Sequence, residues 1–534
     1  MNEGQPKSIL PKPLHFLHPH LHFLGLVIIA IGLPFSEFLM SFGQFWIIGN
    51  WILEGRFTKF NLFLRNWDAL LLSGIFLMLL PGLFYSENIP EGIKMMRINL
   101  PFFVLPFILS QRKPLSVFYY RLLLRLFMAS VVLAAICCLI IGLPRWLSGE
   151  YADLRQMSIF ISHIRFSLLI SFVVLLIGWI FIYRPFRTSL LERVGWILSA
   201  IFLIAFLLIL QALSGILVLI IIVAGWCIFL LWKKVSRKVA VAISISVLVF
   251  LSFSVYTLYD AYKEYSIPSA IYSSKLPVYT AKGNTYSHQF GVIENGHYID
   301  AFVCEKELYE SWNKRSRISL NGPDGKDQPL KSTLIRFLNS KGLRKDAGGI
   351  ARLTDQEITF IENGIANEKY LGPFGIRMRF YQMLWELNAF SGENKDVSGH
   401  TVRMKLEFWK TSLSLISKNF IFGVGIGDVP DCFREEYRSQ RSNLDQKWWL
   451  TSHNQYLYLM VASGLLGFMF FLMCFFLPFF QKPERRKYVP FSVFITIAAI
   501  SMLTEDMLTT QAGVSFIAFF YALFLFVKPS EENS

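Results

Sequence analysis

Long apolar runs, broken at intervals by short clusters of lysine and arginine, set the pattern of this chain. A helix needs about 20 predominantly apolar residues to cross a bilayer. About twelve runs approach that length. They centre near residues 21–35, 38–53, 67–84, 98–109, 118–143, 159–181, 194–210, 216–232, 239–255, 456–480, 489–503 and 513–527. The fourth is short and holds Pro101 and Pro106, so a kink or a partly re-entrant segment is expected there. The expected fold is an all-α polytopic membrane protein.

The stretch from 257 to 452 breaks the pattern and is too long to be a simple connector. Residues 287–304 alternate imperfectly around Glu294-Asn295-Gly296, which predicts a hairpin. Thr354-Asp355-Gln356-Glu357 reads as a capping box before Ile358, Phe360 and Ile361, with Gly364 as the stop. Residues 330–338 and 376–387 also read as helices. In 403–420, Leu406, Trp409, Leu413, Ile416 and Phe420 recur at three and four residues, giving an amphipathic helix. It either lies on the membrane surface or packs on the subdomain. The organisation expected is thus 1–256 with spans one to nine, 257–452 as a mostly helical loop subdomain ending in that helix, and 453–534 with spans ten to twelve.

Charge orients this layout. Arg56, Lys59 and Arg65, then Arg112, Lys113, Arg121 and Arg125, then Arg184, Arg187 and Arg193 fall in alternate loops. Lys233, Lys234, Arg237 and Lys238, then Lys482, Arg485, Arg486 and Lys487 continue the series. The intervening loops mix signs. Basic loops stay in the cytoplasm, so both termini are expected there and 257–452 on the outer face. The net charge of +15 is thereby a topology signal, and nucleic acid is not expected as a partner.

The chain is 54% hydrophobic and 17% charged, with mean hydropathy +0.45. Its 51 phenylalanines suit lipid-facing helices. Residues 1–15 are largely polar without a small-residue cleavage site, so the first apolar run is expected to be retained as a span. Cys137, Cys138, Cys227 and Cys474 sit in apolar runs, and Cys304 and Cys432 in the loop. Two cysteines make no framework, and no disulfide is expected.

Ionisable groups at a membrane edge are costly and mark functional candidates. Ser162-His163-Ile164-Arg165 opens the sixth span from the outer side. Arg165 there either grips a phosphate with its forked donors or snorkels to lipid headgroups. His400 and Arg403 head the amphipathic helix, with the same two readings. His453-Asn454-Gln455-Tyr456 opens the tenth span, and a neutral imidazole there suits a general base near pH 7. Glu505, Asp506 and Gln511 lie in the last outer loop, where they either orient a base or a sugar hydroxyl or, as the preferred reading, form a solvated turn. Gly423-Val424-Gly425-Ile426-Gly427 follows a helix and fails as a dinucleotide fingerprint; a tight turn, near a phosphate or not, fits better. The sequence carries no Walker loop and no metal spacing, so no cofactor is expected and energy must come with the substrate.

Four features resemble the O-antigen ligase and polymerase superfamily of bacterial membrane glycosyltransferases. They are the many-span layout with one late loop, the Arg403-Met-Lys-Leu-Glu-Phe-Trp409 helix opening, the glycine turn from Phe420 to Asp428, and His453 with ten residues before Gly464. The mid-chain Ser-Arg-Gly of many members is Ser214-Gly215 here. The resemblance implies metal-independent glycan transfer at the periplasmic face of the inner membrane. The donor would be an undecaprenyl-diphosphate-linked glycan, and the acceptor lipid A–core or another lipid-linked repeat. It implies His453 as base and Arg403, with Arg165, on the diphosphate. His163, His400, Asn454 and Gln455 are expected as further substrate contacts beside them. Arg336, Arg377 and Arg379 compete for the arginine role. Membrane lipid is the other partner, and a lipid-linked glycan flippase is the rival from another class.

Overall fold

A computed structural model describes residues 15–148, 150–151, 154–185, 188–232, 237–267, 276–371, 375–388 and 401–529. Among them, seven helices are long and apolar enough to span a bilayer: Leu17–Phe35, Trp67–Phe84, Ile89–Leu109, Val117–Leu147, His163–Tyr183, Leu190–Ile209 and Gln455–Phe480. Leu213–Trp226, Val489–Thr504 and Gln511–Val527 are shorter apolar helices. The chain is a helical polytopic membrane protein. On Leu190–Ile209, Leu190, Leu191, Leu198 and Ile201 are each at least 60% exposed, a contiguous apolar surface that water does not tolerate and lipid does.

Local chemistry sets the helix ends and kinks. Asn88 caps Ile89–Asn99 by accepting from Glu91 N at 3.2 Å, and Pro90 sits in the first turn, where its missing N–H costs nothing. Pro101–Leu109 follows directly, so the short fourth run is the second half of a kinked helix that is long and apolar enough to cross a membrane. Pro101 removes the hydrogen bond that would have carried the helix straight through Leu100. Trp67–Leu77 and Leu79–Phe84 meet at Met78 for a related reason: Pro81 lies four residues past Leu77.

Two compact units emerge. The first comprises Met1–Arg145, Arg155–Val223 and Lys405–Ser534, and the second Trp146–Leu154 with Ala224–Met404. In the first unit, phenylalanines such as Phe38, Phe45, Phe84 and Phe118 are exposed on the helix surfaces, as expected of lipid-facing residues, while others form part of the interior. Phe172, Phe494, Phe516 and Phe520 are buried, with centroids 4.9 Å apart for Phe172–Phe520 and 5.6 Å for Phe494–Phe516, both edge to face. Lipid removes the hydrophobic drive between helices, so close ring packing supplies the contact.

The Gln455–Phe480 helix is broken at Gly464, whose φ of 61° and ψ of −168° are not helical. A break at membrane depth leaves N–H and C=O groups that lipid cannot satisfy. The glycine turn satisfies them. Val424 N donates to Val461 O at 2.9 Å and Gly425 N to Ala462 O at 3.0 Å; Leu465 N returns a bond to Phe420 O at 2.8 Å. Two backbones run together there. A Cβ on Gly464 would sit 2.3 Å from Ile421 O, and one on Gly423 (φ 74°) 2.6 Å from Gly464 N. Asp428, at the end of the turn, accepts from Glu87 N at 2.9 Å and Asn88 N at 2.7 Å, while Gly427 N donates to Ser86 Oγ at 3.1 Å. The amide donors of Val424, Gly425 and Gly427 are thus engaged within the protein, as a tight turn requires.

The second unit is small and mostly helical. Ile293–Glu294 pairs with His297–Tyr298 across Asn295 and Gly296, both at positive φ, as the turn signal predicts. The capping box at Thr354 opens Asp355–Glu362. Trp312, Leu334, Phe337, Leu338 and Ile361 form the core. Arg336 makes a bidentate pair with buried Glu294, at 3.0 and 2.9 Å, and its guanidinium lies 3.6 Å over the Trp385 ring. A guanidinium so engaged holds the unit together and is withdrawn from the competition for substrate. The side chains of Arg377 and Arg379 lie outside the described residues. Cys304 and Cys432 are both free thiols.

Gly464→Ala and Gly423→Ala each force a side chain into the backbone crossing at a positive φ, which strains the chain by about 1–3 kcal/mol before any clash. Both variants should melt well below the wild type in detergent and elute as aggregated or polydisperse protein in size exclusion, whereas Gly195→Ala, in open space on a lipid-facing helix, should not.

Candidate active site

His453 closes the polar segment ahead of the broken helix. Asn454 caps that helix, its Oδ1 accepting from Tyr456 N at 3.0 Å and Leu457 N at 3.3 Å. Gln455 is buried, and its Oε1 accepts from Leu508 N at 2.7 Å. Both side chains build the site's frame. His453 itself takes a left-handed φ of 46°, a strained backbone for a residue with a Cβ. Asp506 holds it there. One carboxylate oxygen accepts from His453 N at 3.1 Å and Thr451 Oγ1 at 2.9 Å, and the Ser452 hydroxyl lies 3.1 Å from the other.

Glu505 stands on the imidazole side. Its Oε2 is 3.6 Å from His453 Nδ1, ion-pair range rather than a hydrogen bond. Its Oε1 is 3.7 Å from Lys405 Nζ, and Lys405 also donates to Thr504 O at 2.8 Å. The Phe408 ring lies 5.5 Å from the imidazole. Burial pushes the Glu505 carboxyl up, but His453, Lys405 and Arg165 outweigh that and hold it below its usual range. Asp506 goes the other way, because burial dominates the helping contacts from His453, Thr451 and Ser452. The solvated turn expected at Glu505 and Asp506 is thus corrected: Asp506 is buried and Glu505 largely covered, each against charged and polar partners.

Arg165 lies in the first turn of His163–Tyr183, and the charges of Glu505, Glu37 and Asp506 act on it. Its buried Nε meets no hydrogen-bond partner among the described residues. Arg165, His453, Glu505 and Asp506 line one open cavity of about 410 Å³, walled by Phe433, Trp449 and Leu450, with Arg434 at its rim. Tyr437 O–H donates to Leu450 O at 2.9 Å and Trp449 Nε1 to Leu444 O at 2.9 Å, which fixes that wall. A permanent cation with an unmade bond suits an anionic ligand, and the imidazole beside it suits a hydroxyl with a proton to give up.

The structure therefore brings Arg165 and His453 together. His163 shares the first turn with Arg165 but does not line the cavity. Arg403 is buried at the head of Thr401–Lys418, within the second compact unit. His400 lies outside the described residues. Arg434 was missed, and nothing in the sequence separates it from Arg438 on the same helix.

These features define a class: a helical membrane protein with an open cavity lined by charged residues. Residues 370–472 match the family model described as O-antigen ligase, which supports the O-antigen ligase and polymerase superfamily and a function of that general type. The matched stretch runs from the end of the second unit through the glycine turn to His453 and Gly464. No curated protein matches the chain.

A carboxyl held low in the fold adds stability above its unfolded value of about 4.3, and loses it as pH falls through the folded value. Glu505→Gln should therefore flatten the acid limb of melting temperature against pH relative to the wild type. An unchanged acid limb would remove the His453–Glu505 coupling.

Proposed function

We propose that the protein transfers a glycan from undecaprenyl diphosphate to lipid A–core at the periplasmic face of the bacterial inner membrane. The observation that carries this reading is the single cavity lined by Arg165, His453 and Glu505, beside a stretch matching the O-antigen ligase family. Twelve spans, cytoplasmic termini and a periplasmic 257–452 subdomain belong to the same proposal, and the five basic loops support them.

In this reading Arg165 binds the donor diphosphate through its forked donors and neutralises charge as it builds on the leaving group. Glu505 beside Nδ1 favours the tautomer that carries its proton there, which leaves Nε2 as base. Nε2 takes the proton of the acceptor hydroxyl as its oxygen attacks the anomeric carbon. The bond from that carbon to the diphosphate oxygen breaks, and undecaprenyl diphosphate departs. Asp506 keeps the imidazole aimed by fixing the His453 backbone. Arg403 joins the diphosphate contacts on the resemblance alone. The chemistry needs no nucleotide, and none of its steps requires a metal.

A polymerase would use the same chemistry with a lipid-linked repeat as acceptor. The His453-to-Gly464 spacing favours the ligase. In a strain lacking the gene, His453→Ala should cut transfer by roughly 10²-fold or more, the usual worth of a general base. Long polymer should then stay on the carrier while the lipopolysaccharide core stays bare. A single repeat on the core would reassign the protein as a polymerase. Full transfer by His453→Ala would end the catalytic reading and favour the flippase.

A further inference from the structure

The end of the first unit away from His453 holds a second charged cluster. Leu33, near the C-terminal end of Leu17–Phe35, shares a small apolar cavity with Arg165, so the other end of that helix points away from the glycan site. His18 and His22 lie there, one turn apart. His18 Nδ1 is 2.8 Å from Asn50 Oδ1, and Asn50 Nδ2 donates to His18 O at 3.0 Å. His22 is 5% exposed, and its Nδ1 has no hydrogen-bond partner among the described residues.

The neighbours of His22 are cations. Arg112 and Arg56 are both close enough for their charges to act on it. The two guanidiniums share one carboxylate, Glu54, which Arg56 meets at 2.7 Å and Arg112 closes from the other oxygen. Arg56 Nη1 donates to Gln111 O at 2.9 Å, and Trp51 Nε1 to Gln111 Oε1 at 3.1 Å. The Nε atoms of Arg56 and Arg112 are buried, and among the described residues neither has a hydrogen-bond partner. Two guanidiniums against one carboxylate leave a surplus positive charge, and the imidazole within reach of their fields carries a third unmade bond. Unmade buried bonds are costly unless a ligand makes them.

Depth identifies the ligand's chemistry. Arg56 and Arg112 follow directly on helices ending at Leu53 and Leu109, so they lie at an edge of the apolar zone, where lipid phosphates sit. Lys59 and Lys113 stand in the same two loops and add to the positive field. We propose that His22, Arg56 and Arg112 form a phosphate-binding site, occupied by the headgroup of an anionic phospholipid in the leaflet opposite the glycan site. Glu54 holds the two guanidiniums in place, and the imidazole and both Nε atoms supply donors. The site is independent of the glycan-transfer reading.

The test uses the purified full-length protein in detergent, its melting followed in mixed micelles. Phosphatidylglycerol should raise the melting temperature by a few degrees, and phosphatidylcholine should not. Arg56→Gln and His22→Leu should each lose most of that rise, while Lys482→Gln, in another basic loop, should keep it. His22→Leu leaves the Arg–Glu–Arg pairing intact and so guards against a variant that fails to fold. Inorganic phosphate at millimolar concentration distinguishes the source. An equal rise with phosphate supports the site with a free anion as occupant, and a rise with the lipid alone supports the headgroup. A full rise retained in both Arg56→Gln and His22→Leu, or no rise in the wild type with any probe, overturns the proposal.

Discussion

A transmembrane helix cannot break in lipid unless something else takes up the hydrogen bonds it gives up. At Gly464 that something is the backbone from Phe420 to Gly425. The contact is possible only because two glycines face each other with no Cβ between the chains. Much of the first unit near the cavity hangs from it. The crossing sets where the Gln455–Phe480 helix begins, and hence where Asn454 caps it and His453 turns. Through Asp428 it also ties the start of Ile89–Asn99 to the start of Val429–Ser439, the helix that supplies Phe433 and Arg434 to the cavity wall. The ten residues between His453 and Gly464 are then a measured length of helix between an aimed imidazole and its anchor.

The cavity adds a second constraint, electrostatic in kind. Asp506 spends its oxygens on the backbone and hydroxyls that keep His453 at positive φ. Glu505 keeps its charge because His453, Lys405 and Arg165 surround it. The two adjacent carboxylates therefore meet different partners: Asp506 the His453 backbone and neighbouring hydroxyls, Glu505 the imidazole and Lys405. Arg165 meets them with a donor still unmade. In a bundle interior of low dielectric such an arrangement is strong only while every charge has its partner.

The chain's ends of the bundle also differ in how charge is handled. On the His453 side, carboxylates balance the cations around an open cavity. On the opposite side, Glu54 serves two arginines and buried nitrogens are left over. Both arrangements sit at the edge of the apolar zone, where partial hydration makes buried charge tolerable.

Periodicity and composition were enough for much of this protein. Apolar runs long enough for a bilayer, the hairpin at Asn295-Gly296 and the capping box at Thr354 rest on local rules of length, turn and cap, so they were legible residue by residue. His453 and Arg165 stood out because charge at a membrane edge is expensive wherever it falls. Other features depend on partners distant in sequence. Phe172, Phe494, Phe516 and Phe520 turned inward because helices from both halves of the chain present rings to one another. Glu505 and Asp506 looked like a solvated turn until Thr451, Ser452, His453 and Lys405 packed against them, and Arg434 is marked only by the cavity it borders. The sequence by itself determined the elements and the chemistry available, because those follow from neighbours along the chain. Only the tertiary structure decided which groups share a cavity, because burial and charge pairing are properties of what the fold brings together.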